Sequence, residues 1–299
     1  MTGAEVLNLQ LPRLRMSALA WGPADGRLVL CLHGFPDSAH SWRRLGPLLA
    51  AAGYRVVAPF MRGYAPTEIP VDGDYHVGAL VSDVLDLHEA LGGGADAVLV
   101  GHDWGAFASN AVAAYPNSPF RTVISMAVPP LAAMSQARFG VLRTAKMSLI
   151  QLRMSWYIMY FQLPGAPERT LHRVIPRLWQ DWSPRGADVD EDVATTLAAL
   201  PTAAHRAAAV GYYRALVRPG SVDPAYADFG AYLRALPLIP ILYLHGEQDG
   251  AMQVGYTEQL LDVLPSGSVV QTIAGAGHFV QVDQAAAVGD AILRYVSAD

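Results

Sequence analysis

The chain has a single cysteine, only 16% charged residues, and no run of apolar residues long enough to cross a membrane. With Cys31 alone, neither an intrachain disulfide nor a cysteine-based metal cluster is available. Cys31 lies in the apolar run Leu28-Val29-Leu30-Cys31-Leu32, where a buried, inert thiol is the default expectation. The net charge of −5 supplies no basic face, which excludes a nucleic-acid partner and points to a small or neutral one. No window approaches 18 uninterrupted apolar residues, so no membrane span is expected. Met1 to Gln10 lack the basic start and apolar stretch of a secretory signal, and a soluble, cytoplasmic protein is the resulting expectation. There is no His-Glu-x-x-His, no facial spacing of His and carboxylates, and no dinucleotide fingerprint. Gly92-Gly93-Gly94 lacks the strand and following helix that a phosphate loop needs. Neither a metal nor a cofactor is therefore expected.

What is abundant is apolar surface: 52% of 299 residues, enough for one large core or a core with an insertion. Short apolar runs alternate with longer amphipathic stretches, which predicts a mainly parallel sheet covered by helices on both faces. Strands are expected at Leu28–Leu32, Arg55–Pro59, Ala97–Gly101, Thr122–Ala127, Ile239–His245 and Val269–Ile273, after an antiparallel pair at Val6–Leu11 and Arg15–Trp21. Helices are expected at Ser41–Ala52, Val77–Leu91, Trp104–Tyr115, Tyr256–Leu264 and Gln281–Tyr295. The alternation stops near Val128-Pro129-Pro130 and resumes at Pro237-Leu238-Ile239-Pro240. The aromatic-rich, helical stretch between them reads as a cap, residues 131–231, inserted between core segments 1–130 and 232–299. It is expected over the carboxyl ends of the strands, where open sheets bind ligands.

The strongest local signal is Val98-Leu99-Val100-Gly101-His102-Asp103-Trp104-Gly105-Ala106. An apolar strand ends in Gly-x-Asp-x-Gly and a helix begins at once, the setting of a nucleophile elbow with Asp in place of Ser. The glycines permit a sharp turn, and the carboxylate is presented at a helix N-terminus. A carboxylate displaces a leaving group at sp³ carbon to give an ester. Toward an ester or amide carbonyl it is itself the better leaving group, so the substrate is expected to be an alkylating electrophile. The bland alternative makes Asp103 a helix N-cap.

Leu32-His33-Gly34-Phe35-Pro36-Asp37-Ser38 closes an early strand, where this type of fold takes an oxyanion-hole N–H. The backbone donors would be Phe35 and Trp104, each contributing about 3 kcal/mol to ester hydrolysis. Leu244-His245-Gly246-Glu247-Gln248-Asp249 offers an acid, and Gly277-His278-Phe279, after the last strand, offers a base. His278 would activate water and Asp249 would orient it, with Glu247 as the fallback acid. Of the nine histidines only His278 has this position. His33 and His102 flank motif glycines and are expected to support the site, and His245 to be core.

Together, His33-Gly34-Phe35-Pro36-Asp37-Ser38 with Ser41-Trp42-Arg43, Gly101-His102-Asp103-Trp104-Gly105 and Gly277-His278-Phe279 resemble the α/β-hydrolase-fold epoxide hydrolases of the soluble bacterial type. The resemblance covers nearly the whole chain and implies an eight-stranded sheet with an inserted helical cap. Two cap segments, Trp156 to Gly165 and Gly211 to Ala215, resemble the family's tyrosine segments. It follows from the resemblance that Tyr157 and Tyr213 bind the epoxide oxygen and donate a proton as the ring opens, with Tyr160 and Tyr212 as neighbours able to take these roles. Phe35, Trp104, Trp42 and Tyr160 are expected around the substrate. The implied partner is a small apolar epoxide and the product a vicinal diol. Oligomeric state is open, a homodimer being one option. Two rivals stand beside this reading: a haloalkane dehalogenase, which shares the Asp nucleophile, and a non-catalytic ligand-binding protein on the same scaffold.

Overall fold

In the computed structural model, which describes residues 3–297 apart from 137, 219 and 221, eight strands form one sheet. They are β1 Glu5–Gln10, β2 Arg15–Trp21, β3 Arg27–Leu32, β4 Tyr54–Pro59, β5 Val98–His102, β6 Thr122–Met126, β7 Ile241–Gly246 and β8 Val269–Ile273, in the spatial order β1-β2-β4-β3-β5-β6-β7-β8. β2 pairs antiparallel with both β1 and β4, and the other neighbours are parallel. The central strands β5, β6 and β7 are buried throughout, as their mostly apolar sequences require of a sheet covered on both faces. β1 alternates exposed and half-buried residues, as suits an edge strand.

The core helices before the insertion are α1 Leu45–Ala51, α2 Val77–Ala90 and α3 Trp104–Ala114. Nearly every residue of α3 is buried, which its alanines and glycine allow by letting its backbone approach the sheet closely. Between β6 and β7 come α4 Leu131–Gln136, α5 Val141–Met154, α6 Trp156–Tyr160, α7 Ala166–Trp182, α8 Asp190–Ala198, α9 Ala203–Val217 and α10 Ala227–Gly230. This is the inserted helical cap region. Its last turn, α10, packs on α2 of the core, and the short helix Ala231–Arg234 that follows packs on α2 and α3. After β8 the chain closes with α11 Val280–Asp283 and α12 Ala285–Ser297.

Three expected helices are broken. Ser41–Ala52 is a 3-10 turn, Ala39–Arg43, followed by α1, because Pro47 has no N–H to continue the ladder back to Arg43. Tyr256–Leu264 is only two short 3-10 turns, having too little buried apolar face to offset helix nucleation. Gln281–Tyr295 is interrupted at Gln284, whose backbone leaves the helical region. That break lets the Asp283 carboxylate accept the Gly277 N–H at 2.8 Å, bracing the loop that carries His278.

Two layers of contact join cap to core. Trp179 of α7 stacks on Phe279, centroids 3.5 Å apart, and its indole N–H donates to the Pro36 carbonyl at 2.6 Å. The Thr196 hydroxyl of α8 donates to the same carbonyl, and the His278 N–H donates to the Trp182 carbonyl. On the other side the Tyr212 hydroxyl of α9 donates to the Arg62 carbonyl at 2.8 Å. Arg62 is itself buried, held bidentately by Asp83 with both contacts at 2.7 Å, a geometry that fixes a planar guanidinium tightly.

Candidate active site

Asp103 ends β5 and starts α3 with φ 51° and ψ −111°, a left-handed conformation unusual for a non-glycine residue. Such strain costs about 1–3 kcal/mol and persists only where neighbouring packing enforces it. Here the packing is close: a Cβ on Gly101 would lie 2.2 Å from the Gly105 carbonyl oxygen, and one on Gly105 would lie 2.3 Å from that of Leu32. The result is a carboxylate lifted off the sheet yet buried.

One Asp103 oxygen, Oδ1, accepts the Phe35 N–H at 2.8 Å. A Cβ at Gly34 would sit 2.4 Å from that carboxylate, so the residue before Phe35 must be glycine for the N–H to reach it. His33 holds this loop from behind. Its Nε2 accepts the Met61 N–H, so Nδ1 carries the proton and donates to the Gly34 carbonyl. Burial lowers the His33 pKa, favouring the neutral ring that this pairing needs. His102 lies on the far side, its Nε2 donating to the His278 carbonyl at 3.0 Å.

The other carboxylate oxygen, Oδ2, is 3.6 Å from Nε2 of His278. This Nε2 is buried and makes no hydrogen bond, while Nδ1 donates to Asp249 Oδ2 at 2.9 Å. Asp249 Oδ1 accepts from the N–H groups of Ala251 and Met252 at 2.7 and 2.9 Å. Glu247 is exposed and accepts the Gly275 N–H, so it faces away from His278. His245 is core: it accepts from the Tyr243 hydroxyl and donates to the Met252 carbonyl, fixing the Asp249 loop. Burial alone would lower the His278 pKa, but the Asp249 and Asp103 carboxylates outweigh it and hold the ring up to about 10. Burial likewise works against the Asp249 anion, and the adjacent His278 more than compensates, leaving its pKa lowered.

Above the carboxylate is a cavity of about 70 Å³, room for one small molecule or a few waters. Asp103, His278, Trp104, Tyr157 and Tyr213 all line it. The two phenol rings meet edge to face at 5.4 Å, and Tyr213 meets Trp104 the same way at 5.2 Å. Burial pushes both phenols well above their ordinary pKa, and the nearby Asp103 charge adds to this. Both therefore remain protonated donors at neutral pH. The Tyr213 hydroxyl and the Trp104 indole N–H are buried without a hydrogen bond of regular geometry, as is His278 Nε2. Polar atoms left without a regular hydrogen bond in a folded core cost about 1–3 kcal/mol each unless a ligand satisfies them.

The neighbouring residues go elsewhere. Tyr160 hydrogen-bonds the Thr170 hydroxyl at 2.6 Å, and Tyr212 is committed to Arg62. Trp42 is fully buried away from the cavity, and neither it nor Tyr160 lines it, because α6 and the 3-10 turn direct both into packing. The Phe35 side chain is also behind the wall, edge-on to Tyr213 and Phe161; only its backbone reaches the carboxylate.

Sequence reasoning missed the rest of the lining, including Phe107, Gln151, Ser155 and Met252, and missed Gln162. The Gln162 side-chain amide donates to the carbonyls of Ile158 and Tyr213 at 3.2 and 3.1 Å, tying the segment bearing Tyr157 to the helix bearing Tyr213. A polar residue amid Tyr-Phe-Gln-Leu-Pro was the available signal, but its partner is 51 residues away. Among the described residues no group of three or more His, Cys, Asp or Glu could hold a metal.

Residues 27–285 match the family described as alpha/beta hydrolase fold. The chain is 29% identical over 318 residues to epoxide hydrolase A of Mycobacterium tuberculosis, covering 95% of this chain and 94% of that protein. It superposes on an epoxide hydrolase from Vigna radiata with a TM-score of 0.79 and 24% identity, covering 99% of both chains. A haloalkane dehalogenase loop variant from Bradyrhizobium elkanii superposes with a TM-score of 0.76 and 22% identity, covering 99% of this chain and 97% of that one. At these identities the two structural likenesses establish the fold and do not separate the activities.

Proposed function

This chain belongs to the alpha/beta hydrolase fold family, and we propose that within it the protein is an epoxide hydrolase that opens a small apolar epoxide through an ester on Asp103. The observation that carries this reading is the pairing of a buried carboxylate with two protonated phenols across one small cavity. An epoxide oxygen leaves as an alkoxide, which is a poor leaving group and requires proton donation. Tyr157 and Tyr213 place two phenol O–H groups on that cavity, and the Tyr213 hydroxyl is buried there without a regular hydrogen bond.

In the first step an Asp103 oxygen attacks an epoxide carbon, the C–O bond breaks, and a phenol passes its proton to the departing oxygen. In the second, His278 Nε2 removes a proton from water, which adds to the ester carbonyl. The N–H of Phe35 already bonds an Asp103 oxygen, and with Trp104 N–H it would hold the oxyanion, at a few kcal/mol for such preorganised donors. Collapse of the tetrahedral intermediate releases the diol and regenerates Asp103, and the proton taken up by His278 returns to the phenolate, restoring both groups. The charges supply a natural switch. Esterification removes the Asp103 charge, one of the causes that keeps the His278 pKa high, so the ring gives up its proton more readily when a base is needed. In this reading residues 131–231 act as the cap that brings the phenols over the nucleophile.

One observation favours a second reading: the buried, unpaired indole N–H of Trp104 would suit a halide. Diol formation from styrene oxide, set beside halide release from 1,2-dibromoethane, separates the two. Epoxide turnover with early-time loss in Asp103→Asn supports the epoxide hydrolase; halide release without diol formation overturns it.

A further inference from the structure

The cap helix α5 is turned inside out relative to an ordinary surface helix. Along Val141–Met154 only Met147 is buried. At 100° per residue, Val141, Leu142, Ala145, Leu149 and Leu152 fall within about 100° of arc, a continuous apolar stripe. That stripe faces outward: Val141 is 85% exposed, Leu142 88%, Leu149 70% and Leu152 65%. Contiguous apolar surface of this kind on a folded protein marks an interaction face.

The charges beside the stripe are of one sign. The chain carries no Asp or Glu between Asp103 and Glu168, although it is acidic overall. Lys146, the one lysine of the sequence, and Arg153 border the stripe on the same edge. Among the described residues neither makes a salt bridge, whereas Arg143, turned further round, is paired with Glu258. A two-fold pairing of α5 with its copy would set these cations against each other with no acid on the helix to neutralise them. An exposed apolar stripe edged by unpaired cations matches a different surface: an apolar layer under an anionic one.

We propose that α5 seats the protein on an anionic phospholipid bilayer, lying in the interface rather than crossing it. No helix among the described residues is long and apolar enough to span a membrane. The inner side of the same helix reaches the catalytic cavity, where Gln151 and, just beyond the helix, Ser155 form part of the lining. A helix in contact with lipid on one side and with the site on the other gives an apolar substrate dissolved in the bilayer a short route to Asp103; this last step rests on the epoxide hydrolase reading, and lipid binding does not.

The test is flotation of the full chain with vesicles of equimolar phosphatidylglycerol and phosphatidylcholine, beside vesicles of phosphatidylcholine alone. The expected result is binding to the anionic vesicles, weakened at least tenfold by 0.5 M salt, by Lys146→Glu/Arg153→Glu, and by Leu149→Ser/Leu152→Ser. Lys146 should also be protected by those vesicles from an amine-reactive reagent, read by peptide mapping. Turnover of a water-soluble epoxide without vesicles should be unchanged in both variants, which checks folding and tests the catalytic reading separately. Absence of wild-type flotation, or equal flotation of the Leu149→Ser/Leu152→Ser variant, overturns the proposal. So does a dimer in sedimentation velocity that the same variant abolishes, since a second copy would then own the face.

Discussion

Replacing Asp249 by Asn should arrest the enzyme after ring opening, and the structure says why. Asp249 Oδ1 accepts two backbone N–H groups, from Ala251 and Met252, while Oδ2 accepts one from His278. An asparagine has one acceptor oxygen for these three donors. Facing the oxygen to the backbone satisfies two buried N–H groups; facing it to His278 strands both. The difference is one unsatisfied buried donor, about 1–3 kcal/mol, which favours the backbone-facing orientation by roughly 5- to 150-fold. The amide NH₂ then points at His278 Nδ1 and forces the proton onto Nε2, the atom that must take a proton from water. Loss of the charged partner that stabilises the imidazolium costs about a further 1.5–3 kcal/mol. Ester hydrolysis should therefore slow by about 10²–10⁴-fold, while attack by Asp103, which uses the phenols, continues. Rapid mixing with styrene oxide followed by acid quench and intact-mass measurement should find the chain heavier by one substrate, with the label on the peptide containing Asp103. Steady-state turnover near wild type, or slow turnover with no adduct at any time, would refute the reasoning.

Tyr157→Phe and Tyr213→Phe should each slow ester formation by about 10²-fold or more, since general-acid assistance of this kind is worth 10²–10⁴, measured by single-turnover quench. Gln162→Leu should slow ester formation several-fold but leave hydrolysis of a preformed ester unchanged, because it loosens the tie between the two tyrosine segments and touches neither His278 nor Asp249; equal slowing of both steps would make Gln162 merely structural. Gly34→Ala should cut turnover at least 100-fold, as the added Cβ overlaps the Asp103 carboxylate and drives the Phe35 N–H away; normal activity would remove Phe35 from the oxyanion site. The His278 pKa is raised from an ordinary 6.5 to about 10 by its carboxylates. Its contribution to stability is then fully present below about pH 6.5 and is lost as pH rises through about 10. Thermal denaturation should show wild type losing a few kcal/mol between pH 7 and 10.5 relative to His278→Gln; parallel curves would place the His278 pKa near its ordinary value.

Much of the molecule is written locally. Each central strand is built on a mostly apolar run, and burial of such runs on both faces leaves a covered parallel sheet as the outcome, so β3 through β8 lie within two residues of where the alternation puts them. The elbow is also local, because strand, Gly-His-Asp-Trp-Gly and helix are consecutive, and sterics around Gly101 and Gly105 act over a few residues. Asp103 directly follows β5 for the same reason, and Asp249 and His278 lie in the short loops that follow β7 and β8.

What only the tertiary structure decides is which way side chains turn once distant segments meet. Nothing in the order of Trp156-Tyr157-Ile158-Met159-Tyr160 tells which ring reaches the cavity; α6 is docked so that Tyr157 faces Trp182 and Tyr213 while Tyr160 bonds Thr170. Tyr212 and Tyr213 are adjacent, and the choice between them is made by the Arg62 carbonyl, 150 residues away, which takes the first and leaves the second over Asp103. The same holds for Gln162 and for the outward stripe of α5, whose 3.6-residue pattern is visible in the sequence but whose direction depends on what covers it. A sequence records periodicity and local sterics because these act between near neighbours. Pairing across the cap–core seam is fixed by packing among residues far apart in the chain, and that packing exists only when the whole fold has formed.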